Sequence, residues 1–157
     1  MKIELWLTGK TREAWISGGV DEYLQRCRRF GISVTTRIIA ESQHKAAESA
    51  KKDESARILA GMDKMPRIYT ILLDEKGPQL SSVAFAKLID QLQTRGHSTI
   101  RFITGGAFGV DDSVREKADY ILSLSAMTFP HQLVRIIFAE QLYRAFTILR
   151  GEGYHHE

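Results

Sequence analysis

The chain has one cysteine, Cys27, and three prolines among its 157 residues. A lone thiol cannot close an intramolecular disulfide or build a cysteine metal cluster, so neither an oxidising compartment nor a zinc finger is implied. Long apolar runs are missing too. The opening MKIELWLTGK alternates and then turns polar, without the apolar centre of a signal peptide, and no stretch approaches the ~18 uncharged residues of a membrane span. The cytoplasm is therefore the expected compartment. Charge of one sign is also scarce: 22 Lys and Arg against 19 Asp and Glu leave +3, which permits an acidic partner without demanding one. What is present, 43% apolar and 26% charged residues, describes an ordinary globular protein able to bury a core. The length suits one domain over residues 1–157 rather than two.

Periodicity predicts alternating strands and helices. Ile3, Leu5 and Leu7 alternate with polar neighbours as a first strand, followed by a helix over about Arg12 to Phe30 capped by Thr11, which Gly18 and Gly19 weaken or break. A strand over Ile32 to Ile39 follows. From Glu41 to Lys64 large apolar groups are sparse, which predicts an exposed, partly mobile stretch leading into a helix stopped by Pro66. The unbroken apolar run from Arg67 to Asp74 reads as a central strand covered on both faces. Ser81 or Ser82 caps an amphipathic helix ended by Gly96, Thr99 to Thr104 is a further strand, a short helix starts at Asp111 or Asp112, and a last strand lies around Tyr120 to Leu124. The pattern predicts an α/β fold, a mostly parallel sheet with helices on both faces, with ligands bound beyond the carboxyl ends of its strands.

The final helix, His131 to Arg150, carries large apolar residues around most of its circumference. Either one face packs on the core and another on a second copy, making a homodimer, or the helix is wholly internal. Among the loops, TGGAFG at Thr104 to Gly109 has GGxxG spacing rather than GxGxxG, and Asp111 and Asp112 would repel a phosphate at the next helix start. A nucleoside-type cofactor without phosphates fits it better than a dinucleotide, against the alternative of a plain tight turn. The segment Leu122 to Gln132 sets hydroxyl residues and a Thr-Phe-Pro turn before the long helix. His131 is either a general base or a packing group. Tyr154, His155 and His156 form a titratable tail cluster with no apolar period to place it in a core, and Arg26, Arg28 and Arg29 read as a solvated helix face or a phosphate contact.

Taken together, LLDEKG at Leu72 to Gly77, FITGGAFG at Phe102 to Gly109, LSLSAMTFPHQLVR at Leu122 to Arg135 and EQLYRAFTILRGEGYH at Glu140 to His155 closely resemble the RlmH family. These are SPOUT-class methyltransferases that methylate N3 of a pseudouridine in 23S ribosomal RNA. The resemblance implies a C-terminal trefoil knot, a homodimer and S-adenosyl-L-methionine as methyl donor, with no metal. By matching strings, the donor site would use Leu73, Gly105, Leu124, Ser125, Ala126, Met127, Thr128 and Phe129. The tail would face the substrate, with Tyr154 and His155 near the target base and Arg144 contacting RNA; the alternative for Arg144 is a salt bridge to Glu140 one turn earlier. A histidine, ordinarily titrating near ~6.5, suits His155 to accept the N3 proton. So small a +3 chain is poorly equipped to read a long RNA alone, so the substrate is expected to be the large subunit or whole ribosome. A non-catalytic RNA-binding or ribosome-assembly protein and a nucleotide-dependent oxidoreductase are the competing classes.

Overall fold

The computed structural model describes residues 1–65 and 68–156, so Pro66, Arg67 and the terminal Glu157 lie outside the described residues. Five parallel strands form a single sheet: β1 (Lys2–Thr8), β2 (Ser33–Ile39), β3 (Tyr69–Leu73), β4 (Thr99–Thr104) and β5 (Tyr120–Leu122), in the order β2-β1-β4-β3-β5. Helices α1 (Ala14–Arg28), α2 (Ala47–Asp63), α3 (Ser82–Thr94), α4 (Asp112–Lys117) and α5 (His131–Leu149) make the connections and close the chain. Register is continuous across the centre, with Leu5 opposite Phe102 and Phe102 opposite Ile71.

Alternation along each strand feeds two cores. Ile3, Leu5, Ile71, Ile100 and Phe102 face α1, α3 and α5, whereas Trp6, Leu72 and Ile103 face α2 and α4. That two-sided burial is why RIYTILLD shows no polar alternation, and β3 is indeed an internal strand between β4 and β5. On the second face the Trp6 indole is sandwiched between the guanidiniums of Arg37 and Arg101, 4.5 and 4.1 Å from its ring centre. Arg101 is fully buried and paired with Glu4.

Several expectations need correction. Thr11 does not cap α1. Its Oγ1 accepts a hydrogen bond from Arg135, and the helix starts at Ala14 behind Glu13, without a side-chain cap. Gly18 and Gly19 do not break α1, which is continuous; a Cβ at Gly19 would sit 2.2 Å from Ile136 Cδ1, so this glycine lets α5 approach α1 closely. The stretch from Glu41 is exposed over residues 43–49 and leads into a helix as expected, but the helix starts early, at Ala47, and runs 17 residues as α2, with Ala50, Ile58 and Met62 buried and two polar residues, Glu54 and Ser55, buried beside them. The last strand ends at Leu122 rather than Leu124. Ser81 caps α3 through its hydroxyl, which accepts from the Ala84 amide.

The two neighbouring glycines of α1 should respond in opposite directions. Gly18→Ala has open space around its Cβ and should stabilise the protein by about 0.5–1 kcal/mol through helix propensity. Gly19→Leu should destabilise it by roughly 1–3 kcal/mol by forcing α1 off α5. Urea denaturation of both variants measures the pair, and equal effects would show that Gly19 has no packing role.

Candidate active site

The carboxyl ends of β3, β4 and β5 open into a cavity of about 700 Å³, within the range of small-ligand sites. Leu73 and Asp74 come from the end of β3, the 105–112 turn from the end of β4, and residues 122–129 from the end of β5; His131 and Val134 close it from the first turn of α5. Leu73, Gly105, Leu124, Ser125, Met127, Thr128 and Phe129 all line it, so the sequence-derived set converges; Ala126 lies between Ser125 and Met127 without lining the cavity. Met127 and Phe108 are exposed at 74% and 50% at its rim, unusual for large apolar side chains.

Local chemistry shapes each wall. The glycine turn closes on itself through the Gly109 amide, which donates to the Gly106 carbonyl, and a Cβ at Gly105 would meet the Gly109 backbone at 2.9 Å. The 122–129 segment is held by its hydroxyls: Ser123 Oγ donates to the Ser125 carbonyl at 2.9 Å, and Ser125 Oγ accepts from the Met127 amide at 3.0 Å. It also crosses the β3–α3 loop closely, for the Ser123 amide donates to the Pro78 carbonyl and a Cβ on Gly77 would lie 2.8 Å from the Ile121 backbone. Arg115 of α4 donates to Asp74 from both Nε and Nη2, at 3.1 and 2.8 Å, and from Nη1 to Asp112. Sequence reading did not assign Asp74, although it lies in the LLDEKG string, and it missed Arg115 and the Glu48 and Lys51 walls from α2, which no motif marks.

Five carboxylates and three basic side chains line the cavity, and Arg115 is already committed to Asp74 and Asp112. A net acidic lining with apolar patches at Leu73, Leu124, Phe129 and Val134 fits a nucleoside bearing a cationic group and opposes a pyrophosphate. His131 is held below the ordinary histidine value, first by burial and then by the nearby Arg135 guanidinium, so at neutral pH it adds no positive charge to the cavity.

The predicted substrate-facing residues form a separate cluster. Arg144 donates to Glu140 Oε1 from Nε and Nη2, at 3.0 and 2.5 Å, the salt bridge considered from sequence. Its guanidinium lies 4.8 Å over the Tyr154 ring, and its Nη1 is 3.4 Å from His155 Nδ1. The Tyr154 hydroxyl donates to Glu140 Oε1 at 3.1 Å, and burial with the neighbouring Tyr23 and Glu140 pushes its pKa up to about 12. The tail thus does have a core contact, since Tyr154 packs edge-on against Tyr143. Arg29 pairs with Glu152 and Arg26 with Glu22, so neither is a bare solvated charge. Arg144 stands 13 residues beyond His131 on α5, about 20 Å along the axis at 1.5 Å per residue. One chain therefore does not bring the tail cluster to the cavity.

The fold and the cavity define a SPOUT methyltransferase, and the chain belongs to that family: residues 1–155 match the family described as "Predicted SPOUT methyltransferase". Its relatives carry a more particular name. The chain is 41% identical over 156 residues to "Ribosomal RNA large subunit methyltransferase H" of Geotalea daltonii, covering 99% of this chain and all of that one. It is 42% identical over 160 residues to the protein of the same name from Halothermothrix orenii, covering 99% of each. The same fold appears in the tRNA (m1G37) methyltransferase of Aquifex aeolicus, at 15% identity and a TM-score of 0.53, over 90% of this chain and 69% of that one. Among the described residues no helix is long and apolar enough to cross a membrane, and no group of three or more His, Cys, Asp or Glu could hold a metal ion.

The His131 shift has a sign that can be tested. A histidine lowered in the folded state contributes stability that is fully present above its unfolded value near ~6.5 and is lost as pH falls through the lower folded value. Denaturation midpoints between pH 7.5 and 5 should therefore fall more steeply for the native protein than for His131→Gln; parallel slopes would remove the burial argument.

Proposed function

We propose that the chain transfers a methyl group from S-adenosyl-L-methionine to N3 of a pseudouridine in 23S ribosomal RNA, as a homodimer acting in the cytoplasm on the large subunit or whole ribosome, with residues 1–157 as one domain. The observation that carries the reading is the net acidic cavity at three strand ends in a chain similar throughout to ribosomal RNA methyltransferases. The implied knot would be threaded where the 75–79 loop crosses β5.

When bound, the donor supplies an already electrophilic methyl on its sulfonium, so positioning and exclusion of water are the protein's main tasks. Leu73, Leu124 and Phe129 would wall the nucleoside, Gly105 admits the Gly109 backbone at close range, and Ser125, Met127 and Thr128, with Ala126 in the same turn, would form the cradle after β5. His155 is the proton acceptor for N3. A neutral imidazole has one lone pair, and Nδ1 is the nitrogen facing Arg144, so Arg144 turns from it to the RNA as His155 takes the proton at that atom. Tyr154 and Glu140 hold Arg144 in place until then.

The dimer is what brings the two clusters together. Leu133, Ile137 and Ile148 lie half-buried along one stripe of α5, and Trp15 on the adjoining α1 is exposed at 62%. A second copy seated on this face would bury that surface and carry its own tail toward the cavity.

Two measurements test this. His155→Ala should abolish methylation of ribosomes, read by mass spectrometry of the target nucleotide, while calorimetry shows unchanged donor binding; turnover retained at the native rate would refute the base. Gly105→Val, which collides with the Gly109 backbone, should be inactive through the cavity. If sites are shared between subunits, mixing it with His155→Ala restores up to about one quarter of native activity, because half the dimers are mixed and each of those has one intact site. If each chain is self-sufficient, the mixture stays inactive.

A further inference from the structure

Glu54 is only 6% exposed on α2. Its Oε1 accepts from the Ser42 amide at 3.0 Å, but its buried Oε2 has no hydrogen-bond partner among the described residues. Neighbouring cations are engaged elsewhere: Lys51 one turn earlier pairs with Glu48, and Arg57 one turn later pairs with Asp53. A buried, half-satisfied carboxylate is costly and calls for a reason.

The reason lies in what Oε2 faces. A Cβ on Gly106 would stand 2.4 Å from it and 3.2 Å from Thr8 Cγ2, so this oxygen lies directly against Gly106, which itself lines the cavity. The adjacent Ser55, also buried, accepts the Asp111 amide at 2.9 Å, fixing the other end of the same turn. Helix α2 is thus the platform of the glycine turn, with a negative charge set behind its thinnest point.

We propose that Glu54 is a positioning residue that makes the cavity selective for a cationic occupant, favouring the sulfonium donor over the neutral thioether product. This rests on the donor reading above. A charge in a poorly screened site acts across several ångströms, and methyl transfer removes the positive charge from sulfur. The product then leaves more readily than the donor.

The test is binding to the full-length protein by calorimetry, independent of turnover. Native protein should bind S-adenosylmethionine and sinefungin, whose ammonium replaces the sulfonium, tighter than S-adenosylhomocysteine. Glu54→Gln should lower that preference by about tenfold or more, mostly by weakening the two cations, the size expected for one charge within ~12 Å at an effective dielectric near ~20. Ser55→Ala perturbs the same turn without changing charge and should weaken all three ligands alike. Equal loss of all three in Glu54→Gln, or no change, overturns the proposal in favour of a purely structural platform. Should Glu54→Gln not fold, native protein preferring neither cation over the thioether overturns it equally. Folded native protein that binds none of the three ligands fails the donor reading itself, and this inference falls with it.

Discussion

The site depends on one buried cation. Arg135, fully buried on the second turn of α5, donates from Nη2 to the Thr8 carbonyl at 2.6 Å and from Nη1 to Thr11 Oγ1 at 2.8 Å. Beside it Gln132 takes the Arg12 amide on its Oε1 and gives its Nε2 to the Lys10 carbonyl. Two side chains, one turn apart, thereby dock the start of α5 to the connection that leaves β1. Because α5 begins immediately after the 122–130 segment, this docking decides where that segment lies across the strand ends. No carboxylate pairs with Arg135 within salt-bridge distance among the described residues, and burial lowers its pKa, opposed only by the more distant Glu41. Isolated buried charge is expensive, so dipoles from the end of β1 have to replace the counter-ion. Those dipoles exist only once sheet and helix are assembled, which makes the cavity a product of the whole fold rather than of its loops.

The fold was legible where burial is two-sided. RIYTILLD carries no polar alternation because helices cover both faces of β3, and that signature survives without any alignment. The glycines of α1 misled for a physical reason: Gly19 costs helix propensity and returns it as close contact with Ile136, a long-range exchange that local patterning cannot register. The extent of helix α2 is hidden on similar grounds. Its buried set includes Glu54 and Ser55, and polar residues that support another element look, in sequence, like a solvated stretch.

The candidate site was legible as far as its strings were distinctive. Leu73, Gly105, Leu124, Ser125, Met127, Thr128 and Phe129 come together around one cavity. Asp74 and Arg115, which stiffen the mouth by an ion pair, were not found because they are 41 residues apart and meet only through packing. Tyr154 looked detached because its partners, Tyr143 and Glu140, lie a helical turn or more behind the tail.

A net charge of +3 conceals a segregated distribution. At the start of α5 the cavity lining is net acidic. At its far end Arg26, Arg29 and Arg144 stack on Tyr23, Phe30, Tyr143 and Tyr154, with Arg28 and Arg150 exposed nearby. Each stacked guanidinium also holds a carboxylate, so these side chains are pre-ordered rather than free to wander. A polyanion approaching this protein meets attraction at the tail and repulsion at the cavity. The net acidic lining therefore disfavours entry of a phosphate group into the cavity, whereas an uncharged group meets no such penalty.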